Sequence, residues 1–513
     1  MRVHPIGIVV VLFVGLHGCS GSDSSSGDAD ALAGDDVAED ISDAVAPSCD
    51  PGIPALDTLS VTVDGTRILD ARGREVILRG VNAGGRSKLP PFLPFAFAES
   101  GDPLQGDAPP FAEAVLKYVD RVVDWGHNVV RVPFTWDALE PTKGTYDSEY
   151  LERYAAMSAA FGAQGVRVIV DFHQDVFART FCGDGFPLWA VVEGVEPMEF
   201  PCHDWFVGYL QDGPVRDAYD RFWDNEDDLQ GAFQDMWRHM VKGTRDVEGV
   251  IGYEIINEPD GGSLERTEFL KTVLTPFYST MIAVIREEAP GIPVFFDATG
   301  LDGIEAATEL DRPEGEGIVF APHYYDPPAI LQGVWSGTTD YTEPIGKWRA
   351  QGDEWEVPVL LGEFGLKRDA TGVDQYARLH FDALDAHLIH GTLWEYSATV
   401  DDWNEEGMSI LAPDQSESAT VPAIIRAYPA AVDGSIVNFV YDADNREGVL
   451  VLDTTATDVS EIVAPARLYP EGVDVTLTGV DACAVFDADR GRVGVRAVQP
   501  GRLTVAFGPS ATE

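Results

Sequence analysis

Two glutamates in this chain each close a short apolar run: Glu258 in VIGYEIINEP (250–259) and Glu363 in PVLLGEFG (358–365). A single glutamate in such a place is ordinarily a solvated loop residue. Two of them facing each other across a cleft would suit cleavage of a glycosidic bond, with one as acid/base and the other as nucleophile. Carboxyl groups about 5–5.5 Å apart would retain the anomeric configuration, and ~6.5–9.5 Å would invert it. The two must then differ in proton affinity. Arg131 and Tyr325 would favour an ionised Glu363, while repulsion from that charge and partial desolvation would keep a proton on Glu258. Asn257 is placed to hydrogen-bond a sugar 2-hydroxyl, His323 to support the acid/base, and Trp394 to offer a flat face to a sugar ring.

The elements that must hold these residues can be read from the apolar runs. VILRGVNAG (76–84), HNVVRVPFTW (127–136), VRVIVDFHQD (166–175) and VIGYEIINEP come first, followed by PVFFDAT (293–299), GIVFAPHYY (317–325), PVLLGEFG and GTLWEYS (391–397). They are rich in Val, Ile, Leu and Phe with little alternation, as strands buried on both faces are. Helical stretches such as PPFAEAVLKYVDRVVDWG separate them. Eight strands alternating with helices predict a (β/α)8 barrel. The alternative, an open doubly wound sheet, would want a Gly-rich phosphate loop after the first strand, and none is there. Barrel sites lie at the C-terminal strand ends. Those ends carry Asn82, Arg131, His173 with Asp175, Asn257 with Glu258, His323 with Tyr325, Glu363, and Trp394 with Glu395. Strands four and seven face each other across the mouth, which opposes the two glutamates.

The 513 residues carry 35 basic and 86 acidic side chains, a formal charge of 35 − 86 = −51. That excess excludes nucleic acid and anionic surfaces as electrostatic partners. Residues 1–19 have an apolar stretch (Ile6–Leu16) too short to span a bilayer and predict a signal peptide. Leu16-His17-Gly18-Cys19 resembles a bacterial lipoprotein box, with Cys19 as the lipidated residue. Cleavage with release is the alternative, so an exported protein is expected, in the cell envelope or secreted. Residues 20–55 form an acidic linker too polar to fold. Residues 56–429 are expected to hold the barrel and 430–513 a β-sandwich of short alternating strands. Export permits disulfides. Cys182 and Cys202 share one loop, and Cys49 with Cys483 would join the ends of the folded region, though four cysteines allow three connectivities.

Taken together, Arg131, His173, Asn257-Glu258, His323-x-Tyr325, Glu363 and Trp394 resemble the pattern of glycoside hydrolase family 5, a retaining (β/α)8 family. The resemblance implies Glu258 as acid/base, Glu363 as nucleophile, and no metal or cofactor. Within the family the chain is most similar to endoglycoceramidases. RGVNAGGRSKLPP (79–91), WDALEPTKGTYDSEYL (136–151), VDFHQDVFA (170–178) and APHYYDPP (321–328) carry this, over about residues 57–513. The implied substrate is a glycosphingolipid cut between oligosaccharide and ceramide, with Lys88 and Asp175 holding the glucose next to ceramide. The rival activities are a β-glucosylceramidase or a β-1,4-glucanase or mannanase. A carbohydrate- or lipid-binding protein with an inactive barrel is the non-enzymatic rival, disfavoured because binding alone does not need both glutamates.

Apolar loops at the rim point the same way. LPPFLPFAFAES (89–100) and Phe177, Phe181, Phe186, Leu188, Trp189, Phe200, Trp205 and Phe206 could line an acyl groove or meet a membrane or micelle. The competing reading is that they pack the loops against the barrel. His127 is expected to be structural, Glu254 a satisfied interior carboxylate and DDWNEE (401–406) a solvated loop. His239 and His380 read as surface residues, and Gly261 as the residue that turns the chain clear of the cleft.

Overall fold

The structure is a computed structural model. It describes residues 49–511 except 54, 56–57, 101–107, 192–207, 212, 338 and 398–405. The leader with Cys19, nearly all of the acidic linker, and Phe200, Cys202, Trp205 and Phe206 lie outside the described residues. Among those described, no helix is long and apolar enough to cross a membrane.

Eight parallel strands form one sheet: β1 (Arg79–Asn82), β2 (Val129–Phe134), β3 (Arg167–Phe172), β4 (Val250–Glu254), β5 (Val294–Phe296), β6 (Ile318–Phe320), β7 (Leu360–Leu361) and β8 (His390–Leu393). β8 pairs back onto β1, and a parallel bridge between Phe320 and Val359 closes the ring. Helices run between the strands, among them Phe111–Asp124, Ser148–Ala163, Leu229–Thr244, Thr275–Glu288, Thr342–Trp355 and Val373–His387. Local chemistry sets their starts: Asp147 caps Ser148–Ala163 by accepting from the Tyr150 N–H.

Strand period dictates the interior. Val129, Ile169, Phe295 and Val319 belong to an apolar cluster with Leu78, Ile251 and Leu360, while Val130, Val132, Val168 and Val170 belong to the core beneath the helices. Side chains two residues on from the first set share its inward face, which places Arg131, Asp171 and Asp297 one layer above an apolar floor. In β4 a register shift against β3 lets Ile251 and Glu254 share that interior.

The bottom of the barrel is plugged. A hairpin of Val61–Asp64 and Arg67–Asp70, followed by Glu75–Val76, packs Val61, Ile68 and Val76 against the apolar floor. Those same strands continue into a seven-stranded antiparallel sheet with Tyr428–Val432, Ser460–Val463, Arg492–Ala497 and Ala482–Asp487. A four-stranded antiparallel sheet (Ser435–Asp442, Glu447–Thr454, Gly501–Pro509, Val473–Gly479) completes the C-terminal β domain. Phe439, Leu450, Leu452 and Val505 meet Ile462, Val493 and Val495 in its core. Buried Arg74 ties the hairpin to this domain, bonding Asp70 at 2.8 Å and Glu461 at 2.6 Å. Cys49 and Cys483 are disulfide-bonded with Cα atoms 6.1 Å apart. Cys182 is also disulfide-bonded, and its expected partner, Cys202, is outside the described residues.

Two expectations are corrected here. His380 is fully buried rather than exposed: it stacks on Phe364 at 5.1 Å and bonds the Tyr376 carbonyl. His239 is half-buried, stacked on Tyr146 at 3.9 Å. Burial lowers the His380 and His127 imidazoles to about 3, so both rings are neutral packing groups.

Candidate active site

The strand ends converge on one buried guanidinium. Arg131 Nε and Nη2 donate to the two oxygens of Glu254, each at 2.8 Å. Nη1 donates to Asn82 at 3.0 Å and Glu363 at 2.7 Å, and Nη2 to Asn257 at 2.9 Å, with Asp171 3.1 Å away. Such a planar fork orients several partners at once, which a lysine could not do. Glu254 is the satisfied interior carboxylate that its position suggests.

Glu363 lies at the top of β7. Its Oε1 accepts from Arg131 and its Oε2 from the Tyr325 hydroxyl at 2.7 Å. Burial pushes its carboxyl up, but His323 and Arg131, then His173 and Lys88, outweigh that and hold it below the ordinary glutamate value. Tyr325 is pushed well up by burial and by Glu363 and Glu258, so it stays a phenol and donates.

Glu258 sits opposite, more open, with its side chain 18% exposed. Its backbone is left-handed (φ 37°), a strained conformation for a residue with a Cβ. The surroundings impose it: Asp297 accepts the Glu258 N–H at 3.0 Å, and Gln174 donates to the carbonyls of Asn257 and Glu258 at 2.9 and 3.0 Å. His323 Nδ1 lies 2.7 Å from Glu258 Oε1 and 3.6 Å from Glu363 Oε2. One oxygen of Glu258 and one of Glu363 are within 4.8 Å of each other. The turn beyond Glu258 departs from expectation. Gly262 takes the positive φ (62°), while at Gly261 a Cβ would strike the Phe269 ring at 2.7 Å.

A second group of charges lines the wall. Lys88, buried, bonds Asp175 at 2.5 Å, lies 3.8 Å from Glu406, and stands 4.5 Å over the Trp394 ring. His173 pairs with Asp171 at 2.8 Å, and its ring stacks on Trp394 at 5.0 Å. Burial and Lys88 push His173 down, yet Asp171 and Asp175 raise it to about 10. Burial pushes Asp175 up, while Lys88 and His173 bring it down to about 2. Trp394 is buried, its Nε1 donating to Glu406, so it is packed into this wall rather than standing open as a platform.

Every residue expected at the rim is therefore gathered there, Lys88 included. Sequence reasoning missed four others. Asp297 ends PVFFDAT as Glu363 ends its own run, and that run was the signal. Asp171 lies two before His173 on the same face. Asp184 is buried beside Asp175, and neither of its oxygens has a hydrogen-bond partner among the described residues. Glu406, expected in a solvated loop, is instead bonded to Trp394. Three sets of atoms (His173, Asp175 and Asp184; Glu254, Asp297 and His323; Glu258, His323 and Glu363) are close enough to ligate an ion. Lys88 or Arg131 already supplies a positive charge at each, and we assign none of them to a metal.

Of the two readings of the rim loops, packing against the barrel holds for most of the aromatics described. Phe177, Phe181 and Phe186 are buried, as are Leu93, Phe95 and Phe97, so they pack their loops onto the barrel. Among the described residues, the exposed apolar side chains at the rim are Leu188, Leu264, Leu301, Ile304 and Val334, on segments that follow β3 to β6.

Residues 106–400 match the model of the cellulase family (glycosyl hydrolase family 5), and residues 426–505 match the glycoside hydrolase family 5 C-terminal domain. The chain is 27% identical over 421 residues to endoglycoceramidase I of Rhodococcus hoagii, covering 76% of this chain and 77% of that protein. It is 29% identical over 313 residues to an endoglycoceramidase of Cyanea nozakii, covering 54% of this chain and 59% of that one. Among solved structures it resembles endo-glycoceramidase II from Rhodococcus sp. in complex with a five-membered iminocyclitol. The TM-score is 0.69 at 26% identity, over 86% of this chain and 99% of that one.

Proposed function

Since the chain belongs to glycoside hydrolase family 5, and is accordingly a glycoside hydrolase, we propose that it cleaves the β-glycosidic bond between glycan and ceramide in glycosphingolipids, with retention. The observation that carries the chemistry is the opposed pair Glu258 and Glu363, with oxygens within 4.8 Å. So close an approach of two oxygens supports the close-set pair of a retaining enzyme over the ~6.5–9.5 Å pair of an inverting one, which must hold a water between its carboxyls.

In this reading Glu363, kept ionised by its cationic surroundings and fixed by Arg131 and Tyr325, attacks the anomeric carbon. Glu258 gives its proton to the departing oxygen, then takes one from the water that releases the sugar. Lys88, Asp175 and His173 supply directional charge for the hydroxyls of the sugar being transferred. The aglycone leaves past Glu258. Beside it the short helix Gly300–Glu305 exposes Leu301 and Ile304, apolar side chains suited to a lipid aglycone. The similarity to two endoglycoceramidases supports the same substrate. An exported form, anchored through Cys19 or released, fits a substrate held in lipid, and the mass of the mature N-terminus reads which form is made.

Incubation with a ganglioside, lactosylceramide, glucosylceramide and cellohexaose, with products read by mass, tests the substrate. Intact oligosaccharide plus ceramide is expected; products from cellohexaose alone would overturn the lipid reading. Release of glucose from glucosylceramide, with the longer glycans left whole, would favour a glucosylceramidase. The pH profile tests the nucleophile. The lowered Glu363 carboxyl keeps its charge as pH falls, so the acid limb of kcat/KM should lie below about 4.3, the ordinary glutamate value. An acid limb above about pH 5 contradicts the assignment.

A further inference from the structure

Nothing in the proposed chemistry accounts for Asp297, a buried carboxylate at the end of β5 that points into the site. Its Oδ2 accepts the backbone N–H of Glu258 at 3.0 Å and lies 3.3 Å from His323 Nε2, an ion-pair separation rather than a well-aimed hydrogen bond. Its Oδ1 accepts the Ala298 N–H at 2.6 Å. The other ring nitrogen of His323, Nδ1, is 2.7 Å from Glu258 Oε1. One imidazole thus bridges the carboxylate that holds the Glu258 backbone and the Glu258 side chain. On the free side of Glu258, a Cβ built at Gly300 would come 2.8 Å from Oε2.

We propose that Asp297 is a positioning residue that keeps His323 protonated on both nitrogens. Nδ1–H then always donates to Glu258 Oε1, and Oε2, over Gly300, is the oxygen that delivers and recovers the catalytic proton. This rests on Glu258 being the acid/base. The logic is that of a carboxylate orienting an imidazole in a triad, with a carboxylic acid in place of a nucleophile. A neutral His323 could accept at Nδ1 and draw the Glu258 proton onto Oε1, away from the substrate. An imidazolium has no acceptor there, so that mis-assignment is closed.

The groups around the ring favour the charged form. Asp297 faces it from the end of β5, Glu254 from β4, Glu258 from the turn beyond β4, and Glu363 from beyond β7, with Tyr325 on its own strand end and Arg131 across the barrel bonded to Glu254 and Glu363. Burial pushes the imidazole down, but Asp297, Glu363 and Glu258 together raise it to about 10. Burial also pushes the Asp297 carboxyl well up while His323 pulls it back, so the two charges depend on each other, and the backbone N–H groups of Glu258 and Ala298 favour the charged carboxylate. Gly300 is part of the device because any larger residue would crowd the one oxygen left free.

Histidine NMR on the unaltered protein reads the state of the ring. Both nitrogens of His323 should carry protons at pH 8, and a neutral ring there overturns the proposal. In Asp297→Asn the ring should lose its second proton at a lower pH. Its kcat/KM, which reports formation of the glycosyl-enzyme, should fall on the order of 10²-fold for a substrate with a poor leaving group, the scale of general acid assistance. For a dinitrophenyl glycoside, which leaves without a proton, the fall should be within about threefold, because acid assistance is not needed. Equal losses on both substrates would mean a merely structural role. Asp297→Glu, which keeps the charge, should recover part of the loss. Gly300→Ala, outside the barrel core, should show the same leaving-group dependence with His323 unchanged, and full activity on the poor leaving group would overturn the Oε2 assignment. Glu258→Gln separates the two ideas: if it too loses both substrates equally, the acid/base reading has failed, whatever His323 does.

Discussion

Glu363→Gly should abolish turnover of glycosphingolipids, by a factor on the order of 10⁴ or more, the scale lost when a nucleophile is removed. Azide should then restore cleavage of an activated aryl β-glycoside. The geometry explains why so small an anion can substitute. Deleting the side chain leaves a vacancy still ringed by Arg131 Nη1 and the Tyr325 hydroxyl, each about a hydrogen bond from where the carboxylate oxygens were. Azide attacks C1 from that face as the bond to the aglycone oxygen breaks and Glu258 supplies the proton, so the product is an α-glycosyl azide. Mass and NMR of the product check this. A β-azide would place the nucleophile elsewhere, and undiminished activity would remove Glu363 from the mechanism altogether.

Arg131→Met should cost both stability and activity. The guanidinium is fully buried and contacts three carboxylates, Asp171, Glu254 and Glu363. Removing one partner of a buried ion pair typically costs about 3–5 kcal/mol, because the remaining charge is left without compensation. The pH dependence has a definite sign. With Arg131 present, Glu363 is held below its unfolded value, so its contribution exists at neutral pH and is lost as pH falls through the folded value. Without Arg131, the Glu363 carboxyl moves up, and that of Glu254, already raised by burial, moves up further. Their penalty is then absent in acid and grows as pH rises past about 4.3. Urea melts should therefore show a large deficit at pH 7 that narrows near pH 4.5. A deficit that is flat with pH would contradict this account. Activity should fall by about 10²–10³-fold, the cost of losing one preorganised electrostatic donor.

The strand-end rule recovered the rim well because a barrel turns sequence position into place. Once the runs ending at Asn257-Glu258 and Glu363 are recognised, their opposition follows from the count of strands. Inward-facing charge within the strands was harder to see. Asp171 and Asp297 share an inward face with Ile169 and Phe295, yet each is embedded in a run apolar enough to pass as buried on both sides. Asp297 has no partner visible in its own run, because its partners come from beyond two other strands. Lys88 and Glu406 sit in loops whose course no periodicity reports, and they meet only because both loops return over Trp394. The rim aromatics misled for the opposite reason. Large apolar side chains in long loops are what a loop needs to hold itself down, and Phe177 and Phe186 stack on each other at 4.0 Å to do so.

The hairpin beneath the barrel has a consequence for how the chain is made. Val76 pairs with Ala431, and Arg74 reaches Glu461, so among the first folded residues to leave the ribosome are some whose partners emerge among the last. Contacts of such long sequence separation are closed late and slowly. Until then the edge of Glu75–Val76 is unpaired and buried Arg74 lacks its second carboxylate. The stopper of the vessel is thus the N-terminal hairpin, and the C-terminal β domain is the clamp that holds it in place. A chain cut short before Tyr428 would keep the hairpin but lose the strand that pairs it, leaving an open sheet edge under the barrel, a species prone to aggregate.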